Sequence, residues 1–205
     1  MSVISAIVLA AGASTRMLPC KQLAEIDGET IIERVLRNAQ ASEVDEVIAV
    51  LGYMANDVAK RIKSPKIKIV VNHEYENGLS SSLKAGLQAI DSKASAGLFL
   101  LGDQPFVDSS VINKVVSEYA RSHARIVVPT FKGQRGNPVL FDKSLFDEIM
   151  ALSGDVGGRK IATEHDPEVL TVEVDDPGVL IDIDTRNDLR LAADRISELK
   201  AHPRS

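Results

Sequence analysis

The sequence predicts an α/β fold in which helices cover both faces of a mostly parallel sheet. Short β-branched runs alternate with amphipathic helical stretches along the whole chain. Repeated strand–helix–strand units form right-handed crossovers, which place successive strands parallel in one sheet. A chain of 205 residues can bury one sizeable core, and this one contains no repeat, low-complexity tract or linker. We therefore expect residues 1–205 to form a single domain.

Six strands and six helices are predicted in alternation. The predicted strands are residues 4–10, 46–51, 68–72, 96–101, 126–129 and 169–174. The predicted helices are residues 30–41, 55–62, 79–89, 109–122 and 143–152, followed by a last helix from near residue 185 towards residue 199. Apolar residues recur at helical spacing in that last helix, at Leu189, Ala192, Ala193 and Ile196. The pair Asp184-Thr185 suits its N-cap.

Composition and charge exclude several classes of protein. Hydrophobic residues make up 44% of the chain and charged residues 26%, as in a soluble globular protein. The net charge of −5 argues against nucleic-acid binding through bulk electrostatics, so any anion site must be local. Cys20 has no second cysteine to pair with, which favours a reduced, cytoplasmic setting. Because there is no apolar run of membrane-spanning length and no basic segment before an apolar run at the N-terminus, we expect neither membrane insertion nor export.

A small-residue turn after the first strand predicts an anion site. The turn is built from alanine, glycine, serine and threonine, so its backbone N–H groups can approach an anion closely. Arg16 and Lys21 add two cations, and the segment therefore suits a triphosphate. Neither G-x-G-x-x-G nor G-x-x-x-x-G-K-[ST] occurs, which excludes a dinucleotide fingerprint and a Walker-type loop. The alternative is an ordinary strand-to-helix turn that carries two surface cations.

Carboxylates after the fourth strand and before the last helix are candidate metal ligands. Asp103 follows the buried run 96–101, and an aspartate there can hold Mg²⁺ together with phosphate oxygens and water. Its alternative role is that of a cap or turn residue. Asp182 and Asp184 point the same way if their segment is extended. One of them could join Asp103 on the metal while the other caps the last helix.

Three loops are expected to meet in one crevice, because ligands of parallel sheets bind beyond the carboxyl ends of the strands. They are residues 11–21, 72–82 and 102–103. Polar residues in the second loop could receive a base, ribose or phosphate, or one of its serines could simply cap the following helix. The loop 132–138 could bind a second substrate or be a solvated hairpin tip. The loop 154–160 has the same ambiguity.

Six motifs together resemble one enzyme family. They are residues 9–17 with Lys21, 77–83, 101–105, 133–138, 154–159 and 182–185, and they follow the family's order across nearly the whole chain. The chain resembles the MobA-like nucleotidyltransferases of molybdenum-cofactor biosynthesis, above all the cytidylyltransferases among them. The resemblance implies a Rossmann-like three-layer sandwich. It also implies transfer of a nucleoside monophosphate from an NTP to a phosphate acceptor, with Mg²⁺ as cofactor and pyrophosphate as product.

The resemblance also implies roles for individual residues. The catalytic residues are Arg16, Lys21 and Asp103, with the metal on Asp103 and Asp184. The nucleotide is expected at Leu9, Ala10, Ala11, Gly12, Ala13, Lys21, Asn72, Ser80, Ser81, Ser82, Gly102 and Asp103. The acceptor is expected at Gln104, Pro105, Arg135, Gly136, Asn137, Pro138, Gly154, Asp155 and Gly157. Ala11 stands where the guanylyl branch has a second glycine, so CTP is the expected donor, molybdopterin phosphate the expected acceptor and a molybdoenzyme a candidate client.

Three alternatives stay open beside this interpretation. Leu18 replaces a glycine that usually follows Arg-Met in the family, which favours a non-catalytic maturation factor that binds molybdopterin or nucleotide. The same chemistry on another acceptor, such as a sugar 1-phosphate or methylerythritol phosphate, is the second alternative. The third is an oxidoreductase that uses NAD(P)H, against which the absent G-x-G-x-x-G argues.

Overall fold

The computed structural model describes residues 2–13 and 20–201. Ten strands and seven α-helices lie within these ranges. The strands are β1 Val3–Ala10, β2 Glu25–Ile26, β3 Glu29–Thr30, β4 Glu46–Leu51, β5 Ile67–Val71, β6 Ala94–Leu101, β7 Ile126–Phe131, β8 Gln134–Arg135, β9 Val139–Asp142 and β10 Val169–Glu173. The α-helices are α1 Ile31–Gln40, α2 Ala55–Ala59, α3 Leu79–Ala89, α4 Ser109–Ser122, α5 Phe146–Ala151, α6 Gly158–Glu164 and α7 Arg186–Ala201.

Eight of these strands form one sheet, in the order β10-β7-β9-β6-β1-β4-β5, with β8 paired to β7. The strands β6, β1, β4 and β5 run parallel, as do β10 and β7, so the predicted mostly parallel sheet is confirmed. β9 runs antiparallel between β6 and β7 and was not predicted. It follows β7 and β8 without an intervening helix, so the strand–helix alternation does not mark it.

Helices cover both faces of this sheet, which confirms the three-layer sandwich. One core packs α1, α2 and α4 against the sheet and includes Ala6 and Val8 of β1. The other core packs α3, α5 and α6 and includes Ile7 and Leu9 of the same strand. Because successive side chains of a strand point to opposite faces, one continuous apolar run serves both cores. A smaller cluster packs α7 beside Ile183.

Local hydrogen bonds determine where α1 begins. Asp27 and Gly28 have φ angles of 58° and 77°, which suit the two-residue turn between the antiparallel strands β2 and β3. Thr30 then caps α1 by accepting from the Glu33 N–H, while the Glu33 carboxylate accepts from the Thr30 N–H. The hairpin was not predicted, because strands of two residues show no periodicity.

Several predicted boundaries differ from the structure, three of them as follows. α2 ends at Ala59 instead of residue 62, because the Arg61 and Ile62 N–H groups bond to carbonyls three residues back and close separate turns. The predicted helix 143–152 divides into a 3-10 turn at Lys143–Leu145 and α5. β7 extends to Phe131, two residues beyond the prediction. None of the described helices has both the length and the apolar character needed to cross a bilayer.

Charged side chains join α5, the end of α6 and the start of β7. His165 contacts Glu168 at 3.0 Å through Nδ1 and Glu148 at 2.7 Å through Nε2. Arg125 binds Glu168 at 2.7 Å and lies 3.7 Å from Glu148. Hydrogen bonds to the Glu168 and Glu148 carboxylates raise the pKa of His165 above its usual value, because they favour the protonated ring.

The stability of the protein is therefore expected to fall as the pH rises through the folded-state pKa of His165. A raised folded-state pKa stabilises the native state fully only below the unfolded-state pKa of about 6.5, and the contribution is lost above the folded-state value. Thermal unfolding between about pH 5.5 and 8.5 should show this loss. His165→Gln should make the unfolding temperature depend less on pH, whereas the control His73→Gln should not. If the unfolding temperature fell equally steeply with pH in wild type and His165→Gln, the pH dependence would not come from His165.

Candidate active site

A lysine and two aspartates form a compact charged cluster at the carboxyl ends of β1 and β6. Lys21 opens a 3-10 turn after the loop that follows β1, Asp103 follows β6, and Asp184 precedes α7. Lys21 Nζ donates to Asp103 Oδ2 at 2.5 Å and to Asp184 Oδ1 at 2.8 Å. Three segments that are distant in sequence thus meet at the edge where parallel α/β sheets bind ligands.

The two carboxylates hold Lys21 in its charged form. Burial alone lowers the pKa of this lysine, but attraction to Asp103 and hydrogen bonds to Asp103 and Asp184 outweigh it and raise the pKa above its usual value. One positive and two negative charges leave the trio with a net negative charge. A divalent cation would offset this charge if a triphosphate bound at the trio.

Asp103 has one oxygen available for a further ligand. Its Oδ1 is buried and lacks a hydrogen-bond partner in the described part of the chain, whereas Oδ2 accepts from Lys21. Buried polar atoms are rarely left in this condition, and carboxylate oxygens are ligands that Mg²⁺ prefers. No group of three or more His, Cys, Asp or Glu residues is arranged for a metal within residues 2–13 and 20–201. Two carboxylates therefore fit an ion that takes its other ligands from phosphates and water.

Of the predicted cap pair Asp184-Thr185, it is Thr185 that caps the last helix. Thr185 N–H donates to Asp188 Oδ2 at 2.8 Å, and Asp188 N–H donates to Thr185 Oγ1 at 3.2 Å. These two residues cap α7 reciprocally. The Asp184 carboxylate is thereby left to bind Lys21.

Asp182 binds a different partner from Asp184. Its Oδ1 accepts from Gln104 Nε2 at 2.5 Å, and the Gln104 side chain is buried. Partial burial raises the pKa of Asp182, and repulsion from Asp103 and Asp184 raises it further. The two aspartates of this segment thus bind different partners, although they were expected to point the same way.

An apolar cavity of about 240 Å³ opens beside this cluster. Most of its wall consists of aliphatic and aromatic side chains from α3, β6 and β9, namely Leu79, Leu83, Phe99, Leu101, Val139 and Phe141. Its polar side chains are Asn137, Arg159 and Asp182. Apolar cavities with a few convergent polar groups are the usual binding sites of small organic molecules.

Two glycines let the start of α6 approach the cavity wall closely. A Cβ atom on Gly157 would lie 2.7 Å from Leu79 Cδ2, and one on Gly158 would lie 2.8 Å from the ring of Phe141. Because protein interiors are close-packed, these neighbours would have to move. A larger residue at either position would therefore reshape the cavity.

The predicted nucleotide residues of β1 and β6 lie side by side. Gly102 N–H donates to the Leu9 carbonyl at 2.9 Å, and a Cβ on Gly102 would lie 2.8 Å from Ala10 Cβ. A Cβ on Gly12 would instead meet nothing within 4 Å, and Ala13 is exposed. The backbone that follows β1 is therefore open to a ligand in its described part.

Polar side chains at the start of α3 bind one another and a neighbouring loop. Asn72 Nδ2 donates to Ser81 Oγ at 2.8 Å and to Ser82 Oγ at 3.1 Å. Ser80 Oγ donates to the Gly154 carbonyl at 2.8 Å. These contacts connect the predicted nucleotide side with the predicted acceptor side, and ligand binding by the four residues stays a prediction.

The predicted acceptor residues occupy different surroundings. Gly136, Asn137 and Pro138 are buried, and Asn137 lines the cavity. Arg135 lies on the exposed β8 and binds Asp166 at 2.6 Å. The Asp155 carboxylate accepts from the first N–H of α3 at 3.3 Å, and the Pro105 carbonyl accepts from Asn38 Nδ2 at 3.4 Å. Of these residues only Asn137 and the loop around Gly157 line the cavity.

Gln22 is a buried residue of this site that sequence reasoning missed. The Cys20 thiol donates to Gln22 Oε1 at 3.0 Å, and Gln22 Nε2 donates to the Gly12 carbonyl at 3.4 Å. The side chain thus connects the two described ends of the loop 13–20. Burial raises the pKa of the Cys20 thiol, which disfavours a nucleophilic role. No motif marks Gln22, so only the three-dimensional contacts reveal it.

Gln22→Leu is expected to weaken nucleotide binding more than it affects turnover. Leucine keeps most of the volume but removes both hydrogen bonds, each worth about 1 kcal/mol. The loop ends should then be less well fixed, so the KM for the NTP should rise several-fold with a smaller change in kcat. The exposed control Gln88→Leu should change neither constant. A Gln22→Leu variant with an unaltered KM would show that this link does not organise the loop.

Part of the predicted loop lies outside the described residues, including Arg16 and Leu18. Lys21 and Arg159 are the cations that the described residues place at the cluster and in the cavity wall. Arg159 ends the loop 154–159, which the resemblance places on the acceptor side. Both loops reach the cavity, but the sequence could not distinguish which of their basic side chains does; the structure pairs Arg135 with Asp166 and places Arg159 in the wall.

Comparison with known proteins agrees with these features. The family model for the MobA-like NTP transferase domain matches residues 6–169. Molybdenum cofactor cytidylyltransferase of Escherichia coli (strain K12) is 27% identical over 201 residues, which are 97% of this chain and 100% of that protein. Nicotine blue oxidoreductase of Paenarthrobacter nicotinovorans is 27% identical over 190 residues, covering 89% of this chain and 92% of that protein.

Solved structures show the same fold. Rv0371c from Mycobacterium tuberculosis H37Rv superposes with a TM-score of 0.84 at 27% identity, over 94% of this chain and 98% of that one. Its complex with manganese gives a TM-score of 0.82 at 27% identity, over 94% and 99% of the two chains. Since the family model spans most of the sequence and the fold agrees, this protein belongs to the MobA-like NTP transferase family.

Proposed function

We propose that the protein transfers CMP from CTP to the phosphate of molybdopterin and releases pyrophosphate. The observation that carries this proposal is the Lys21–Asp103–Asp184 cluster beside an apolar cavity, in which Asp103 Oδ1 has no hydrogen-bond partner among residues 2–13 and 20–201. Such a site offers charged groups for phosphates next to a compartment for the organic part of an acceptor. The full-length similarity to a molybdenum cofactor cytidylyltransferase supports this donor and this acceptor.

The reaction joins two anions, so charge compensation is its main requirement. An oxygen of the acceptor phosphate attacks the α-phosphorus of CTP, and the bond to pyrophosphate breaks. The acceptor phosphate is already ionised near neutral pH, so no general base is needed. Lys21 donates to the α-phosphate oxygens and stabilises the charge that develops there. Arg16 holds the β- and γ-phosphates, and backbone N–H groups at the turn after β1 complete the cradle.

Asp103 and Asp184 are the residues that would hold Mg²⁺. When bound, the ion supplies positive charge that neutralises the phosphates of both reactants. Lys21 bridges the two carboxylates and so keeps them together before substrate arrives. The net negative charge of the trio gives a physical reason for a metal requirement, and the manganese complex of the mycobacterial relative supports a divalent ion.

Pyrophosphate release with a panel of substrates tests the proposal. CTP, GTP, ATP and UTP would each be combined with molybdopterin, glucose 1-phosphate or methylerythritol phosphate, with and without Mg²⁺. We expect the highest kcat/KM for CTP with molybdopterin and Mg²⁺. A higher kcat/KM with a sugar phosphate or methylerythritol phosphate would contradict the acceptor. Tight molybdopterin binding without turnover of any NTP would identify a non-catalytic maturation factor instead.

The setting of this reaction is part of the proposal. Residues 1–205 act as one nucleotidyltransferase domain in the reducing cytoplasm, where the single Cys20 has no disulfide partner. The nucleotide form of molybdopterin would then pass to a molybdoenzyme client. Pull-down of the protein with molybdoenzymes from cytoplasmic extract tests this last step.

A second candidate function is that of an oxidoreductase. The similarity to nicotine blue oxidoreductase over 89% of the chain favours it. The absence of G-x-G-x-x-G argues against the usual dinucleotide loop. Comparative binding of NADH, NADPH and Mg²⁺–CTP separates the two candidates. Tighter binding of a nicotinamide dinucleotide than of Mg²⁺–CTP would favour the oxidoreductase.

A further inference from the structure

We propose that β5 pairs with the β5 strand of a second copy of this chain, antiparallel and across a two-fold axis at Val70. The same surface patch of each copy would then face the other, as in most symmetric dimers. One sheet would continue through both copies. The inference is independent of the proposed function, since it concerns the outer edge of the sheet and not the charged cluster.

β5 is the last strand at its end of the sheet, and within residues 2–13 and 20–201 it pairs with β4 only. Asn72 N–H donates to the Leu51 carbonyl of β4 at 2.7 Å. Backbone groups of successive residues point to alternate sides of a strand, so the N–H and C=O groups of Ile69 and Val71 face away from β4. Such a row of outward-facing donors and acceptors is a template for pairing with another strand.

The side chains of this edge are apolar where most edge strands are protected by charge. Ile69 and Val71 are 40% and 41% exposed, and among the described residues Leu191 is the one other large hydrophobic side chain classed as exposed. Lysines commonly keep edge strands apart. The lysine of β5 is instead bound to its own chain, since Lys68 Nζ donates to the Ala89 carbonyl. A second strand would therefore cover apolar side chains as well as backbone groups.

The register follows from the outward-facing groups. With Val70 on the two-fold axis, Ile69 of each copy lies opposite Val71 of the other, and the two residues exchange N–H···O=C bonds. Their side chains meet on the same face, and apolar pairs across strands stabilise a sheet. Ile67 N–H already donates to the Ser64 carbonyl at 3.2 Å, so a register that required this N–H would be less favourable.

The charges at the two ends of β5 are complementary in this register. Lys66 lies exposed just before the strand and would face the exposed Glu74 of the other copy. The basic segment 60–68 precedes or begins the strand, whereas Glu74 and Glu76 follow it. An antiparallel pair brings each basic end to an acidic end, whereas a parallel pair would place like charges together. This complementarity favours a second copy as the occupant of the edge.

Space beside the strand allows a second strand to approach. A cavity of about 500 Å³ lies between β5 and α3, and its apolar wall includes Val70, Ala85 and Ala89. Because these two residues of α3 are small, the helix leaves room next to the edge. Val70 of the second copy would lie opposite Val70 on this face and fill part of that room.

The contact is small, so the dimer should be weak. β5 has five residues, and two such strands bury less surface than the roughly 1,200 Å² of a stable complex. We therefore expect monomers at about 1 µM protein and mostly dimers at about 200 µM.

Sedimentation velocity over this concentration range tests the inference with charge-reversal variants. Lys66→Glu should raise the dissociation constant of the homodimer about 10-fold, because it places a carboxylate opposite Glu74 in both pairs of the dimer. Glu74→Lys should have the same effect by placing an ammonium group opposite Lys66. The control Lys160→Glu makes the first change at an exposed position of α6 and should dimerise as wild type does.

Restored pairing is the decisive result. An equimolar mixture of Lys66→Glu and Glu74→Lys should form heterodimers as tightly as wild type forms homodimers, and so should the protein that carries both changes. A wild type that stays monomeric over the whole range would overturn the inference and leave the edge to a different chain. A Lys66→Glu variant with the wild-type dissociation constant, or a mixture that stays as weak as the single variants, would also overturn it. No substrate is used, so failure of the transferase proposal would leave these results unchanged.

Discussion

Asp103→Asn is expected to lower the rate of pyrophosphate release by at least about 10²–10³-fold, the effect of losing one preorganised charged contact in an active site. Asparagine has the same shape and can still accept from Lys21, so the fold should be kept. It removes the charge and the carboxylate oxygen that would bind a metal. Mn²⁺ binding, measured by electron paramagnetic resonance, should weaken in parallel with the rate.

The matched control for this variant is Asp147→Asn, which makes the same chemical change at an exposed position of α5. It should have wild-type rate and metal affinity. Asp182→Asn should also keep metal affinity, because Asp182 binds Gln104 and not the lysine of the cluster. Normal pyrophosphate release by Asp103→Asn would refute the metal assignment.

Lys21→Ala should reduce kcat by about 10²–10³-fold while changing CTP affinity much less. The ammonium group stabilises charge that grows on the α-phosphate during the reaction, so its loss affects the transition state more than the bound substrate. The variant also leaves Asp103 and Asp184 without the amine between them. It should therefore unfold at a lower temperature in the absence of divalent ions, and Mg²⁺ should restore more stability than in wild type.

Steady-state kinetics and thermal unfolding with and without Mg²⁺ check both parts of this prediction. Lys66→Ala removes an exposed lysine and should leave kcat, CTP affinity and the Mg²⁺ effect unchanged. If Lys21→Ala raised the KM for CTP strongly while kcat stayed near wild type, Lys21 would be a binding residue and not one that acts in the transition state.

The sheet was predictable because long buried runs carry a clear signal. β1, β4 and β6 are apolar over most of their lengths and alternate with amphipathic helices, so their parallel arrangement follows from the pattern. β9 was not predictable because no helix separates it from β7 and β8, and the β2–β3 hairpin was not because strands of two residues show too little periodicity. Their formation depends on pairing with neighbours that the sequence brings together only in the folded chain.

The charged cluster was only partly predictable. Lys21 and Asp103 stand in motifs, but the choice between Asp182 and Asp184 depends on the path of an irregular segment. The structure separates the two by their partners, since Asp184 binds Lys21 and Asp182 binds Gln104, while the choice of metal ligand stays a prediction.

Which basic side chain reaches the cavity was visible only in the structure as well. Arg135 meets Asp166, a residue 31 positions away, and that contact has no local sequence signal. Gln22 likewise gains its importance from the carbonyl and thiol that folding places around it.

The central claim is that a nucleoside triphosphate binds together with a divalent cation at the Lys21–Asp103–Asp184 cluster. Thermal unfolding of wild type and Asp103→Asn with CTP, GTP, ATP or UTP, each with and without Mg²⁺, tests it most directly. We predict a rise in the unfolding temperature that is largest for CTP, requires Mg²⁺ and disappears in Asp103→Asn. A rise of equal size without Mg²⁺, or one that persists in Asp103→Asn, would contradict the claim.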